Sequence, residues 1–326
     1  MSFLLMGQII TGILILWVAL TLFSFCFFYY GLGDHDHVVP YDRDKLHASS
    51  GCSNPGFKDS GMCRTECWNG TRFFIPEPIV QPNCSKYSTK RTLLYIYSAT
   101  YNFEQRQQIR EQFSYHLQDH NIALLFVVGY PLKLSLSNET YLLFETGKYA
   151  DLLRLNFSDT YDNLSYKGLG VFMWIKSCGT NLEYIIKADD DDVTILAKIY
   201  IGRQMLRRWY TDDFKDKIFC LGAMLNNDIR GPKDKPAYQA TFSEYPGCLL
   251  PRYCHGNRGT FIAKDVALIL LEAARSTKVF RLEDAYFTGL LRMRSCITLN
   301  HLNTPSYYIL YAAYSAYSNL IHFLFH

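Results

Sequence analysis

Four consecutive carboxylates, Asp189 to Asp192, stand between two apolar segments, Tyr184-Ile185-Ile186 before them and Val193 and Ile195 after. The preceding run is β-branched and aromatic, as a buried strand requires. Like charges held between buried segments repel one another and lose hydration, so a partner must offset that loss. A divalent cation is the simplest partner. Hard oxygen ligands suit Mg²⁺ or Mn²⁺, and such ions keep positions for the oxygens of a phosphate. The same run also fits a solvated acidic turn, and it lacks the mid-loop Gly and closing Glu of an EF-hand. A second acidic pair, Glu283-Asp284, precedes an apolar run of helical character (Ala285, Phe287, Leu290, Leu291). There an acid serves either as a helix cap or as a general base.

The elements that must position these groups follow from hydrophobic period. Thr92–Ser98 and Ala123–Gly129 read as apolar strands, and Leu182–Lys187 as the strand that delivers the aspartates. Phe103–Gln118 has a helical period, with Ile109, Phe113 and His116 on one face; Glu145–Leu155 and Leu164–Cys178 are helical by the same criterion. Strands alternating with helices predict an α/β architecture with a mainly parallel sheet, in which ligands bind beyond the carboxyl ends of the strands.

A chain of 326 residues has room for a sizeable core, and a net charge of +3 without a basic tract excludes nucleic acid as a partner. Ile9–Tyr30 is nearly continuous apolar sequence, enough for the about 20 residues that a bilayer span needs, and no small-residue cleavage site follows it. Five N-glycosylation sequons, at Asn69, Asn83, Asn138, Asn156 and Asn163, and nine of the ten cysteines lie beyond that segment. Both features point to an oxidising lumen. The expected organisation is residues 1–8 as a cytoplasmic tail, 9–30 as a transmembrane signal anchor, 31–90 as a lumenal stem partly stapled by Cys52, Cys63, Cys67 and Cys84, and 91–326 as the catalytic domain. An odd cysteine leaves a disulfide-linked homodimer open. The Tyr- and Leu-rich tail from Ser306 to Phe325 reads as a packed or interfacial helix.

The motifs resemble those of the β-1,3-glycosyltransferases, glycosyltransferase family 31. Arg106-Gln-Gln-Ile109-Arg110-Glu-Gln-Phe113 is similar to the family's "R-x-x-I-R-x-T-W", and Phe126-Val-Val-Gly129 to its next strand. Glu145 through Tyr149-Ala-Asp151, then Phe157-Ser-Asp159 to Lys167, resembles "E…Y-x-D-[IL]-[IL]-x-x-x-F-x-D-x-Y-x-N-L-[TS]-x-K". Trp174 and Cys178 fall where the family has its "W" and "C"; Lys187-Ala-Asp189-Asp190-Asp191 matches "K-x-D-D-D". Pro251-Arg-Tyr253-Cys254-His-Gly256 resembles "P-x-Y-C-x-G", and Glu283-Asp284 to Gly289 resembles "E-D-V-x-x-G". The blocks keep the family's order from Arg91 to about Cys296.

The resemblance implies a GT-A, Rossmann-like domain on a single-pass type II membrane anchor and stem in the Golgi. It implies a metal-dependent, inverting transfer of a hexose from a UDP-sugar to the 3-hydroxyl of an acceptor glycan. Galactose is the first expectation for the sugar, with N-acetylglucosamine and N-acetylgalactosamine beside it. Asp189 and Asp191 are assigned to Mn²⁺ or another divalent cation, with His301 as the candidate third ligand and His255 as its rival. Asp189, Asp190, Arg106 and Lys187 are assigned to the donor side, Asp284 to the base and Glu283 to orienting it, while Arg110 is taken as structural. Asp192 replaces a residue that is usually apolar and is expected either to be solvated or to alter metal preference. Ala285 replaces a β-branched residue, and the interval to Gly289 is one residue longer than usual. Two other classes remain: a catalytically silent relative acting as a folding or assembly partner, and a lectin-like glycan binder with a structural cation.

Overall fold

The structure, a computed structural model, describes residues 74–131, 136–178, 181–192, 195–200, 217–221, 224–225, 240, 244–245, 250–255 and 259–301. All of them fall within one compact unit, Val39–Leu302. The expected anchor, most of the expected stem and the tail from Ser306 lie outside the described residues. Among the described residues no helix is long and apolar enough to cross a membrane.

The strands, in chain order, are β1 (Pro78–Val80), β2 (Thr92–Tyr97), β3 (Ile122–Tyr130), β4 (Leu152–Ser158), β5 (Tyr184–Asp189), β6 (Lys217–Cys220), β7 (Met224–Leu225), β8 (Tyr253–Cys254), β9 (Thr260–Ala263) and β10 (Thr298–His301). Eight of them form one sheet in the order β1-β4-β3-β2-β5-β9-β6-β10, and β7 pairs with β8 separately. The middle of the sheet, β4-β3-β2-β5, is parallel, whereas β9 runs antiparallel to both β5 and β6, and β1 antiparallel to β4. The sheet is therefore mixed, with Rossmann-like character in its parallel part. Every residue of β2 is buried, the pattern of a strand covered on both faces.

The helices are α1 (Phe103–Asp119), α2 (Leu136–Tyr149), α3 (Leu164–Cys178), α4 (residues 195–200) and α5 (Lys264–Ala274), followed by a π-helix, Ala285–Leu291. The single helix expected over Glu145–Leu155 is instead two elements, because α2 ends at Tyr149 and Leu152 opens β4. Ala150 between them adopts φ 49°, a left-handed conformation that stops the helix, and its N–H still reaches Thr146 O at 3.1 Å. Leu152–Leu155 are all buried because α2 and α3 pack on β4, and a short, fully buried strand has no period that separates it from a helix.

The sheet also reaches back before Arg91, through β1 and the 3-10 turn Cys84–Tyr87, whose Tyr87 is buried edge-on against Trp174. Cys84 does not staple the stem. It is bonded to Cys178 at the end of α3, a sequence separation of 94. Cys220 and Cys254 join β6 to β8, and Cys296 is bonded to a cysteine outside the described residues.

A buried ionic net fastens α1 and α2 to the sheet. Arg106 grips Glu145 with two bonds of 2.7 and 2.8 Å, and Arg110 reaches both Glu145 (2.8 Å) and Asp151 (2.8 Å). Its guanidinium lies over the Phe126 and Tyr149 rings. Close packing on the other face depends on Gly168 of α3, where a Cβ would come within 2.6 Å of both Tyr97 and Phe287.

Because the Cys84–Cys178 bond closes a loop that holds β2, β3, β4 and three helices, its loss releases a large amount of chain. The Cys84→Ala/Cys178→Ala chain is expected to lose about 4 kcal/mol of unfolding free energy in urea titrations. An unchanged midpoint would show that the loop is already constrained without it.

Candidate active site

Parallel pairing sets Tyr97 opposite Asp189 and Tyr95 opposite Lys187, so the end of β2 lies beside the start of the aspartate run. Lys187 and Asp189 share one face of β5, being two residues apart. The Lys187 side chain is buried, and its ammonium lies over the Tyr97 ring, 5.0 Å from the centroid. Three carboxylates surround it: Glu283 Oε2 at 2.7 Å, Asp284 Oδ1 at 3.3 Å and Asp189 Oδ1 at 3.8 Å. Tyr97 donates its hydroxyl hydrogen to Glu283 Oε1 at 3.3 Å. Residues 96 and 97 positions apart in sequence thus meet at one nitrogen.

The cluster holds more negative charge than positive. Burial pulls the Lys187 ammonium towards its neutral form, but Asp189, Asp284 and Glu283 reverse that effect and hold its pKa well above the ordinary value. Burial pushes Glu283 well above the usual carboxylate range; Lys187 opposes the shift and Asp284 adds to it. Asp189 is raised by burial, against the pull of Lys187 and Lys198. Glu283 is closed off at 6% side-chain exposure, whereas Asp189 and Asp284 remain 33% and 31% exposed. Those two carboxylates are the ones a ligand can reach.

The other aspartates have separate surroundings. Asp190 Oδ2 accepts from Ser98 Oγ (2.7 Å) and Asn102 Nδ2 (2.8 Å), and its N–H donates to Tyr97 O (3.0 Å). Asp191 is exposed. Asp192 is not solvated: its side chain is only 3% exposed and pairs with the fully buried Lys198. Arg106 does not face a ligand either. Its guanidinium is fully buried, held by Glu145, and donates to Ser98 Oγ (2.8 Å) and Ala99 O (2.6 Å). The expectation that it contacts the donor is corrected by this burial; it acts on Asp190 through Ser98.

Of the expected ligand set, Asp189 and Asp191 are described, whereas the His301 side chain is not. Among the described residues, no group of three or more His, Cys, Asp and Glu side chains is arranged to hold a metal ion. His301 closes β10 opposite Cys220, and its side chain lies outside the described residues. His255 has a buried Nδ1 without a hydrogen-bond partner and follows β8. The carboxylates still suit a hard cation that takes few protein ligands, because Asp189 is partly exposed, short of positive charge and next to the exposed Asp191.

Asp284 takes its place from the helix it leads into. The π-helix Ala285–Leu291 is entirely buried and begins at the next residue. Its wider turn holds one residue more than an α-turn would, as π-bulges do. It also brings the Thr288 hydroxyl back to donate to Asp284 O (2.7 Å) while accepting from Cys254 N–H (2.8 Å). Asp284 is therefore braced from β8 as well as from Lys187. Ser98, Asn102, Tyr97 and Thr288 were not singled out from the sequence. The available signal was position: the first three lie at or just beyond the end of β2, beside β5.

A Rossmann-like mixed sheet with paired carboxylates at its strand ends defines a class of ligand-binding α/β domain. The family model described as Galactosyltransferase matches residues 104–303, more than half of the chain, and the protein belongs to that family. UDP-GalNAc:beta-1,3-N-acetylgalactosaminyltransferase 1 of Homo sapiens is 29% identical over 157 residues, covering 48% of this chain and 43% of its own. The chain thus spans under half the length of that relative. Beta-1,3-galactosyltransferase brn of Drosophila melanogaster is 24% identical over 276 residues, 84% of this chain and 79% of its own. Lactosylceramide 1,3-N-acetyl-beta-D-glucosaminyltransferase A of Xenopus laevis is 27% identical over 207 residues, 61% and 52%.

Removing Lys187 exposes the imbalance directly. Lys187→Met is expected to destabilise the fold by about 3–5 kcal/mol near neutral pH, because buried carboxylates are left unpaired. Glu283 is already raised in the folded state, so its ionisation opposes folding; that penalty is absent at low pH and grows as pH rises through the folded pKa. The gap between variant and wild type should therefore narrow on acidification, measured by urea unfolding at several pH values. A gap independent of pH would contradict the electrostatic account.

Proposed function

We propose that the chain is an inverting β-1,3-hexosyltransferase that moves galactose, or an N-acetylhexosamine, from a UDP-sugar to the 3-hydroxyl of an acceptor glycan on glycoprotein or glycolipid. The observation that carries this reading is the meeting of Asp189 and Asp284 at the Lys187 ammonium, with both carboxylates open to solvent. Family membership and the activities for which the relatives are named support it. The sheet is consistent with a GT-A domain.

In this reading Asp284 takes the acceptor hydroxyl proton as the acceptor oxygen bonds to the anomeric carbon. The bond from that carbon to the diphosphate oxygen breaks, and UDP leaves with the electron pair. Lys187 and Glu283 hold Asp284 in place, and Lys187 offsets part of the negative charge between the two carboxylates. Asp190, held by Ser98 and Asn102, is placed for the sugar or uridine, with Arg106 behind it. A divalent cation, Mn²⁺ by the family resemblance, would be held by Asp189 and Asp191 and would neutralise charge on the departing diphosphate. Golgi residence on the Ile9–Tyr30 anchor, with the domain lumenal, belongs to the same proposal and rests on the sequons and cysteines. A disulfide-linked homodimer through an unpaired cysteine belongs to it too.

UDP release by the full chain, measured with Mn²⁺ against a panel of UDP-sugars with and without EDTA, tests the proposal. One donor should dominate and EDTA should abolish release. Asp284→Asn should lower kcat by about 10²–10⁴ while UDP binding persists. Turnover that survives both treatments would overturn the mechanism, and UDP binding without turnover of any donor would favour a silent relative.

A further inference from the structure

Lys198 has the least expected environment of any cation described. Its side chain is fully buried on α4, and its counter-ion is Asp192, the fourth carboxylate of the run. The space for the ammonium comes from Gly259. That residue has φ +76°, and a Cβ there would come within 2.6 Å of both Lys198 Nζ and Lys187 O. Lys198 therefore packs under the backbone of β5, directly behind the aspartates. Asp192 is joined to them through the chain as well, since its N–H donates to Asp189 O at 3.1 Å, and the N–H of Ile195 at the start of α4 returns to Asp192 O at 3.4 Å. Each acid of the run is thus disposed of differently. Asp189 shares Lys187, Asp190 takes two neutral donors, Asp191 is exposed, and Asp192 has an ammonium of its own.

We infer that Lys198 is a positioning residue for the nucleotide-diphosphate side of the site: it draws Asp192 inward, so the turn presents Asp189 and Asp191 to a diphosphate without a further unneutralised carboxylate beside them. The inference rests on the proposed UDP-sugar reading. Repulsion is the physical core. A diphosphate approaching a face with one more negative charge meets an added electrostatic barrier, whereas removing a charge from that face does not weaken it.

That asymmetry separates positioning from mere structural support. Lys198→Met and Asp192→Asn break the same ion pair, and both are expected to lower the thermal midpoint. Their effects on UDP binding by isothermal titration calorimetry, with the full chain and Mn²⁺ held in excess, should differ in sign. Lys198→Met leaves the Asp192 carboxylate without its ammonium and should weaken UDP about tenfold, the effect of one poorly screened charge several ångströms away. Asp192→Asn should leave UDP affinity unchanged or improve it despite its lower midpoint. Asp192→Val combined with Lys198→Met should return the affinity to within about twofold of wild type. Equal losses in both single variants, or no rescue in the double, would overturn the inference while leaving wild-type UDP binding, and with it the proposed function, intact. If Lys198→Met does not fold, Asp192→Asn decides alone: a loss of UDP affinity there overturns the inference and retained affinity supports it. Absence of UDP binding by the wild-type chain would remove both.

Discussion

An ammonium taken out of water is stable only where carboxylates replace its hydration, and Lys187 meets that condition through two remote parts of the chain. β5 brings the lysine and Asp189; the segment entering the π-helix brings Glu283 and Asp284. Alone, the lysine would keep only Asp189, at 3.8 Å, and Glu283 would be a buried anion with Asp284 beside it. Their union places the two solvent-accessible carboxylates around one nitrogen, which is why the charge that stabilises the fold and the charge available for chemistry are the same charge.

The remainder of the domain holds that nitrogen still. Arg106 and Arg110 carry the load between α1, α2 and the start of β4, using Glu145 and Asp151 as shared counter-ions. Through Ser98 the same net reaches Asp190, so a fully interior arginine tunes a residue at the mouth of the site without meeting solvent. Thr288 plays the corresponding part on the far side, linking Asp284 to β8 and its disulfide. Asp190 and Asp284 are thus each held by a neighbour that is itself anchored deeper in the domain.

Much of this was legible in residue order. The apolar runs at Thr92, Ala123 and Leu182 located β2, β3 and β5, and the helix Leu164–Cys178 has the predicted bounds. The acidic pairs at Asp189 and Glu283 were marked by their spacing and by family resemblance, and they do meet. What escaped has a common cause: burial decides it and local pattern does not report burial. Leu152–Leu155 looked helical because a strand covered on both faces loses its alternation. Arg106 looked like a surface cation aimed at a ligand, since its partner Glu145 is 39 positions away. Asp192 read as either solvated or a modifier of the metal site, because Lys198 packs beneath a glycine whose conformation no motif reveals. The antiparallel β9 is only four residues long, so the reversal of sheet direction left no signal in hydrophobic period.

The Cys84–Cys178 bond imposes an order of assembly on this plan. Both of its cysteines, and β2, β3 and β4 between them, precede β5 in the chain. Under oxidising conditions a chain synthesised amino end first can lock that half before Lys187 has been added, and well before Glu283 joins it. The locked half then presents the uncovered edge of β2 as a template on which β5 zips, and the charged centre assembles last. Synthesis arrested in between would leave a covalently closed fragment with an open sheet edge, the kind of intermediate that pairs with other chains unless the rest of its own arrives.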